Sequence, residues 1–304
     1  MRIGIAGTGK MGATIARRLA SLGHEVAVWN RSPDKAQPLL KDGIAWAESP
    51  RALAQRSEVV ISLLTNEQAL DAVYSGPDGL FSAPVTGKLF LEMSTVAPAK
   101  QQEMGRRAAE VGAAYLESPV GGSVGPAKEG KLIAFVGGAA DDVARARPLL
   151  DQLCKRVEHV GPHGAGETMK LAVNLPLMVY WQTLGEALSL VQPLGLDPQR
   201  VIDILSDSSG GPNMLKVRGG MIAQALSGEK PPAVTVDLAT MRKDVRAMVE
   251  EARSHGRQLP LTVETLKNFD RAAKEGLDGA DCSQLPVWWL AAGGKNQADP
   301  RPSQ

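Results

Sequence analysis

Residues 2 to 6, RIGIA, run into Gly7-Thr8-Gly9-Lys10-Met11-Gly12 and then into a segment of helical periodicity that reaches about Leu22. A short apolar run, a tight glycine corner and an amphipathic helix, in that order, restrict what the chain can build, because this is how a βαβ unit begins. The first two glycines of the GxGxxG spacing permit the tight turn and a close approach of backbone to a pyrophosphate, and the helix start behind them offers amides and the positive end of a dipole. The turn therefore predicts a dinucleotide site formed by Gly7, Thr8, Gly9, Lys10, Met11 and Gly12, with a purely structural glycine turn as the plainer alternative.

The alternation continues. EVAVWN, GIAW, VVISLL, KLFLEM, AAYLES and KLIAFVG read as strands, with helical segments near 33–40, 97–111 and 140–153, and RVEHVG at 156–161 reads as the last strand. Strands alternating with helices predict parallel units in a doubly wound sheet. After Gly164 strand signals nearly stop, and 198–207, 214–226, 238–255 and 260–275 all carry helical spacing. The fold class expected is an α/β Rossmann domain over 1–163 followed by an all-α domain over 164–292. The polar, proline-containing tail from 293 to 304 is expected to be disordered.

Between the two halves lies Gly164 to Gln192, a glycine turn followed by Lys170, Asn174 and a long apolar run. On a helix, positions four apart share a face, so an ammonium and a carboxamide project side by side. Apolar residues such as Leu171, Val173, Leu177, Met178, Leu184 and Leu188 occur nearly all round it, which predicts a helix buried on several sides and, through its uncovered surface, a homodimer or higher homo-oligomer. Pro176 removes one helical hydrogen bond and predicts a kink or loosened turn beside Asn174.

The 304 residues favour two domains, and a formal net charge of +1 gives no electrostatic footprint for nucleic acid or an anionic membrane. Two cysteines, Cys154 and Cys282, fit neither a disulfide framework nor a metal knuckle, which suits a reducing cytoplasm. No run has the length of a membrane span. His159 and His163 are four apart, but Gly161 and Pro162 between them break any helix, so loop positions and no metal site are expected. Trp288-Trp289 are read as packing residues.

The second strand discriminates between cofactors. Where an acidic residue would meet a ribose lacking a 2′-phosphate, this chain has Trp29-Asn30-Arg31-Ser32. Arg31 and Ser32 can hold a 2′-phosphate and therefore predict NADP(H), with Asn30 beside them at the cofactor and NAD(H) possible; an Arg31 that is only a solvated surface charge is the alternative. Downstream, Glu117-Ser118-Pro119-Val120-Gly121-Gly122-Ser123 closes a strand with a glycine-rich turn whose amides can receive a carboxylate.

Four segments, GTGKMG, ESPVGGSVGPAKEG, GAGETMKLAVN and Arg242-Lys243-Asp244, occur in the order and approximate spacing of the β-hydroxyacid dehydrogenase family, which the chain resembles over about residues 1–290. That family includes 3-hydroxyisobutyrate dehydrogenase and the glyoxylate and succinic semialdehyde reductases. The resemblance implies hydride transfer between a nicotinamide and the carbonyl or carbinol carbon of a small acid, with substrate in the interdomain cleft. Lys170 matches the family's catalytic lysine, which gives a proton to the developing alkoxide or takes it back. Asn174 matches the residue that positions it. Lys243 matches the lysine that reaches in from the helical domain and is counted with the cofactor-binding residues, while Asp244 is read as structural. Ser94 and Thr95 match the pair beside the nicotinamide, and Leu64, Thr65 and Asn66 match the strand end at the cofactor.

The substrate side falls to Ser94, Thr95, Gly121, Gly122, Ser123, Lys170, Asn174 and Val236. Two of these depart from the family. Gly121 stands where a serine is frequent, so Ser123 or backbone amides must replace its donor, and Val236 stands where phenylalanine is frequent. Both remove bulk, which predicts a pocket for something larger than the smallest family substrates. Rival readings are an imine reductase of the same architecture, in which another residue commonly replaces the lysine, and a non-catalytic NADP(H)-binding regulatory protein, whose mark would be loss of Lys170 or Asn174.

Overall fold

The computed structural model describes residues 1–229 and 234–293. The chain separates into two compact units, Met1–Leu171 and Ala172–Gln304. The first unit begins with β1 (Arg2–Ala6), α1 (Lys10–Ser21), β2 (Glu25–Trp29), α2 (Gln37–Lys41), β3 (Ala45–Trp46), α3 (Pro50–Arg56), β4 (Val59–Ser62) and α4 (Glu67–Ser75). It continues with β5 (Leu89–Glu92), α5 (Pro98–Glu110), β6 (Ala114–Glu117), β7 (Val120–Gly121), α6 (Val124–Glu129), β8 (Leu132–Gly137), α7 (Ala140–Leu153) and β9 (Cys154–Gly161).

One sheet orders these strands as β3-β2-β1-β4-β5-β6-β8-β7, with β9 on β8. Pairing is parallel from β3 through β6. Helices cover both faces, which is why the central strands are apolar runs without alternation. In β4, Val59 and Ile61 join the core that packs α1 and α7, whereas Val60 joins the core of Leu53, Leu70 and Met104 from α3, α4 and α5.

The sheet departs from the all-parallel expectation at one end. β8 runs antiparallel to both β6 and β7, and β9 is parallel to β8. A parallel return needs a crossover of a dozen or more residues, usually a full helix, and the connection after β7 holds only the short α6, so the chain doubles back. Helices α3 and α4, absent from the sequence reading, start at Ser49 and Asn66, whose side chains accept the Ala52 N–H at 3.1 Å and the Ala69 N–H at 2.9 Å. Lys88 closes the far end of α3: its Nζ donates to the carbonyls of Ala54, Gln55 and Ser57, where a cation meets the negative end of the helix dipole.

α8 (Ala165–Val191) starts in the first unit and runs on into the second as one helix, uninterrupted at Pro176. Met178, Trp181, Leu184 and Leu188 form its buried stripe, while Val173 is 48% and Leu190 82% exposed. The expectation of burial on several sides is thus corrected: the packing of one chain covers one stripe, and apolar residues off that stripe remain at the surface. The second unit continues with α9 (Pro198–Asp207), α10 (Asn213–Leu226), α11 (Leu238–Ser254), α12 (Pro260–Ala272) and α13 (Gln284–Trp288). Trp288 is buried and donates its Nε1–H to Glu275 at 2.6 Å, so this tryptophan packs and pairs. Of the tail read as disordered, 294–304 lies outside the described residues. Among the described residues no helix is long and apolar enough to cross a membrane.

Candidate active site

The glycine turn is held from both sides. The Gly7 N–H donates to the Trp29 carbonyl at 2.8 Å, and the Thr8 N–H donates to Asn30 Oδ1 at 3.0 Å. Asn30 in turn donates its Nδ2–H to the Ser32 carbonyl at 2.9 Å, so its carboxamide ties the glycine turn to the loop after β2. Gly9 starts α1 with extended backbone and no side-chain cap, which leaves the first amides of the helix to another acceptor.

The three glycines of the motif have different reasons to be glycine. A Cβ on Gly7 would lie 2.2 Å from the Leu63 carbonyl oxygen, and one on Gly12 would lie 1.9 Å from the Gly7 carbonyl oxygen. A Cβ on Gly9 would meet nothing within 4 Å. Close packing of the fold explains the outer two; open space before the helix start, suited to a pyrophosphate, is what the middle one provides. The residues present therefore fit a dinucleotide.

Beside this turn lies a groove of about 660 Å³ whose walls include Gly7, Gly9, Asn30, Arg31, Ser32, Leu64 and Thr65. The structure thus brings most of the expected cofactor residues to one place. Thr8 and Gly12 are buried beneath the turn and Lys10 is exposed on the first turn of α1. The groove also takes in Lys35 and Asn66. Lys35 was missed as a site residue; its signal is a second cation four positions after Arg31.

Ser94 and Thr95 follow β5. The Ser94 hydroxyl is buried and accepts the Leu64 N–H at 2.6 Å, and the Ser94 N–H donates to Glu92 Oε1 at 2.8 Å. Ser94 therefore braces the β4 and β5 ends against each other, a task that its reading as a substrate ligand did not include. Glu92 is fully buried, and burial raises its carboxyl above the ordinary range despite donors from Ser62 and Ser94. Gly121 ends β7 half-buried, Gly122 has φ +119° and Ser123 is exposed ahead of α6.

Lys170 and Asn174 lie four residues apart on one face of α8, Lys170 only 9% exposed and Asn174 half-buried. In the second unit, Lys243 Nζ lies 3.3 Å from Oδ1 of the buried Asp244 on α11. Val236 is half-buried in the turn before that helix. Its carbonyl accepts the Cys282 N–H at 3.0 Å, and Asp281 accepts both the N–H and the hydroxyl of the adjoining Thr235 at 2.6 Å. Burial opposes ionisation of Asp281, yet these donors and those of Ser283 hold its carboxyl at about 2.

The histidine pair is not in loops throughout: His159 lies on β9, and only His163 sits in the turn before α8. Among the described residues no group of His, Cys, Asp and Glu could hold a metal ion.

Comparison with known proteins decides the family. The model of the NAD binding domain of 6-phosphogluconate dehydrogenase matches residues 2–161, and that of the NAD-binding domain of NADP-dependent 3-hydroxyisobutyrate dehydrogenase matches residues 164–288. The chain belongs to the β-hydroxyacid dehydrogenase family. It is an NAD(P)-binding oxidoreductase of Rossmann and helical parts. The 3-hydroxyisobutyrate dehydrogenase of Pseudomonas aeruginosa is 34% identical over 93% of this chain and 97% of its own length. The structure of Psf3 in complex with NADP+ and 2-OPP superposes with a TM-score of 0.83 at 29% identity, covering 94% of this chain and 99% of that one. An imine reductase from Myxococcus stipitatus, at 17% identity and TM-score 0.63 over 94% of this chain and 99% of that one, shares the fold alone.

Proposed function

We propose that this oxidoreductase moves a hydride between NADP(H) and the carbonyl or carbinol carbon of a small β-hydroxyacid or carboxylated semialdehyde, with Lys170 as general acid and base. The observation that carries the reading is Lys170 itself: a nearly buried lysine on α8, with Asn174 on the same helix face. The dinucleotide, when bound, supplies or accepts the hydride. The glycine turn and the start of α1 hold its pyrophosphate. Lys170 holds a proton at Nζ for the oxygen that gains charge during reduction and recovers it during oxidation, and Asn174 orients that amine. The Gly121 to Ser123 turn and the hydroxyl of Thr95 orient the substrate acid, and Lys243 is counted with the residues that would hold the cofactor. In this reading 1–163 is the dinucleotide-binding domain and 164–292 the substrate and dimerisation domain, and the protein works in the cytoplasm, as two buried free thiols suit.

The test is NADPH oxidation with a panel of semialdehydes and cyclic imines. Turnover of carbonyl acids is expected; no turnover of any of them sinks the reading, and turnover of imines alone favours the imine reductase. Within the panel, longer semialdehydes are expected to outrun glyoxylate. A Cβ on Gly121 would meet only ordinary contacts, 3.6 Å from Phe135, so glycine there leaves space that a side chain would fill. A clear preference for glyoxylate contradicts this.

The preference for NADP(H) is supported by Arg31, Ser32 and Lys35 among the residues that line the groove. Replacing both cations, Arg31→Ala with Lys35→Ala, is expected to weaken NADPH binding about 10- to 100-fold and leave NADH binding nearly unchanged, as loss of charge-assisted hydrogen bonds requires. Equal loss for both cofactors in fluorescence titrations refutes the assignment. Val173 and Leu190, exposed on α8, support a homodimer or larger homo-oligomer; a monomer in sedimentation velocity at micromolar concentration contradicts it.

A further inference from the structure

Three segments of the first unit meet at two buried carboxyl groups. Glu117 ends β6 and opens the glycine-rich turn, and its Oε1 accepts the Gly166 N–H at 2.6 Å while the amides of Gly164 and Glu167 are turned toward the same carboxyl. Glu167 lies in the first turn of α8. It accepts Gln101 Nε2–H at 3.0 Å, Gln101 accepts the Tyr115 hydroxyl at 2.5 Å, and the Val96 N–H is directed at the Glu167 carboxyl. Through these two side chains the start of α8 is tied to the segment after β5, which contains Ser94 and Thr95, and to the end of β6.

Both carboxyls are fully buried, and Oε2 of each has no hydrogen-bond partner among the described residues. Burial pushes the Glu117 carboxyl up to about 7 and holds that of Glu167 well above its ordinary value, with Glu117 adding to the effect. An exposed serine or aspartate at the helix start would satisfy the same amides at far lower desolvation cost. The space around Glu117 is also cut to it: a Cβ on Gly137 would lie 2.1 Å from its Oε1 and one on Gly166 would lie 3.0 Å away. Gly164, at φ +99°, and Gly166 give the backbone ahead of Lys170 little stiffness of its own.

We propose that Glu117 is a positioning residue for Lys170: it grips the first amides of α8 and so fixes the rotation of the turn from which Lys170 projects, one turn beyond Gly166. Glu167, three residues before Lys170, holds the same turn to the segment after β5. The proposal rests on the reading of Lys170 as the acid and base. Its size follows from geometry, since a displacement of about 1 Å at the reacting centre can cost about 100-fold in rate.

The experiment uses the full chain with the best carbonyl acid of the panel, and compares wild type, Glu117→Ala, Glu117→Asp, Glu117→Gln and Lys170→Ala. Active sites are counted by stoichiometric NADPH binding. For Glu117→Ala, kcat per site is expected to fall about 100-fold with the NADPH Kd within about threefold of wild type, while deuterium exchange at amides 164–170 speeds up. Glu117→Gln, whose amide oxygen still accepts the Gly166 N–H, restores most of kcat. Should the alanine variant not fold, Glu117→Asp, one methylene too short to reach, shows the same split. A residue that only supports the fold would lower thermal stability and the number of active sites and leave kcat per site unchanged; that result overturns the proposal, as does a loss confined to NADPH affinity. Lys170→Ala separates the two ideas. If it keeps turnover the reading of Lys170 fails, whereas if it loses turnover and Glu117→Ala does not, the positioning proposal alone fails.

Discussion

Lys170→Ala is expected to reduce kcat about 1,000-fold while the protein stays folded and binds NADPH as before, because positioned proton transfer contributes about 100- to 10,000-fold. The backbone has every reason to persist: alanine is the best helix former, and position 170 lies in the second turn of a helix of 27 residues. Lys170→Arg makes the result specific. Arginine keeps a cation on a stem of similar length but does not give up its proton at accessible pH, so it reproduces an electrostatic role and fails in proton exchange. Both variants are therefore expected to be nearly inactive. If arginine retains most of kcat at saturating NADPH and substrate, the side chain supplies charge alone; if alanine does, it supplies nothing to the reaction. Asn174→Ala, which removes a partner on the same helix face, is expected to cost about 10- to 100-fold, the range of a lost orientation.

The residues that announce themselves in the sequence do so through local patterns. Strand, glycine turn and helix are adjacent at 2–21, and the structure keeps them adjacent as β1, the turn and α1. Arg31 and Ser32 follow β2 closely and line the groove beside the glycine turn. The reversal at β7 and β8 was less legible, because KLIAFVG is equally apolar whichever way it runs; the brevity of the connection decides, and no residue type marks it.

In the sequence Glu117 stands at the end of the AAYLES run and opens a glycine-rich turn, a place where an acidic side chain usually reaches water. What buries it is Gly166, 49 residues further along, together with Gly137 from a third segment. Long-range partnerships of this kind leave no periodicity, and their only trace is the set of glycines that make room. The long helix shows the opposite error. Apolar residues occur nearly all round it, yet within one chain Val173 and Leu190 remain exposed, because composition reports what a helix can bury and packing partners determine what it does bury.

The glycine turn yields the second large effect, and one that separates fold from function within six residues. Gly12→Ala would force a methyl group to 1.9 Å from the Gly7 carbonyl oxygen, and Gly7→Ala would add a clash at 2.2 Å to a backbone at φ +99°. Each is expected to cost about 3 kcal/mol or more, from overpacking alone at Gly12 and from overpacking with left-handed strain at Gly7, read as a fall in Tm of about 6–12 °C. Gly9→Ala meets nothing within 4 Å and has φ −65°, a conformation alanine adopts freely. Its Tm is expected to stay level or rise slightly, since alanine narrows the unfolded ensemble by about 0.4–1 kcal/mol. Affinity for NADPH is nevertheless expected to drop about 100-fold or more, because the new methyl occupies the space through which a pyrophosphate reaches the amides of α1. A Gly9→Ala protein that is stable and binds NADPH like wild type would show that the open space before α1 holds no phosphate, and the dinucleotide would have to lie elsewhere along the strand ends. A protein that loses stability at Gly9 as it does at Gly7 and Gly12 would show instead that the middle glycine serves the fold, which its empty surroundings argue against.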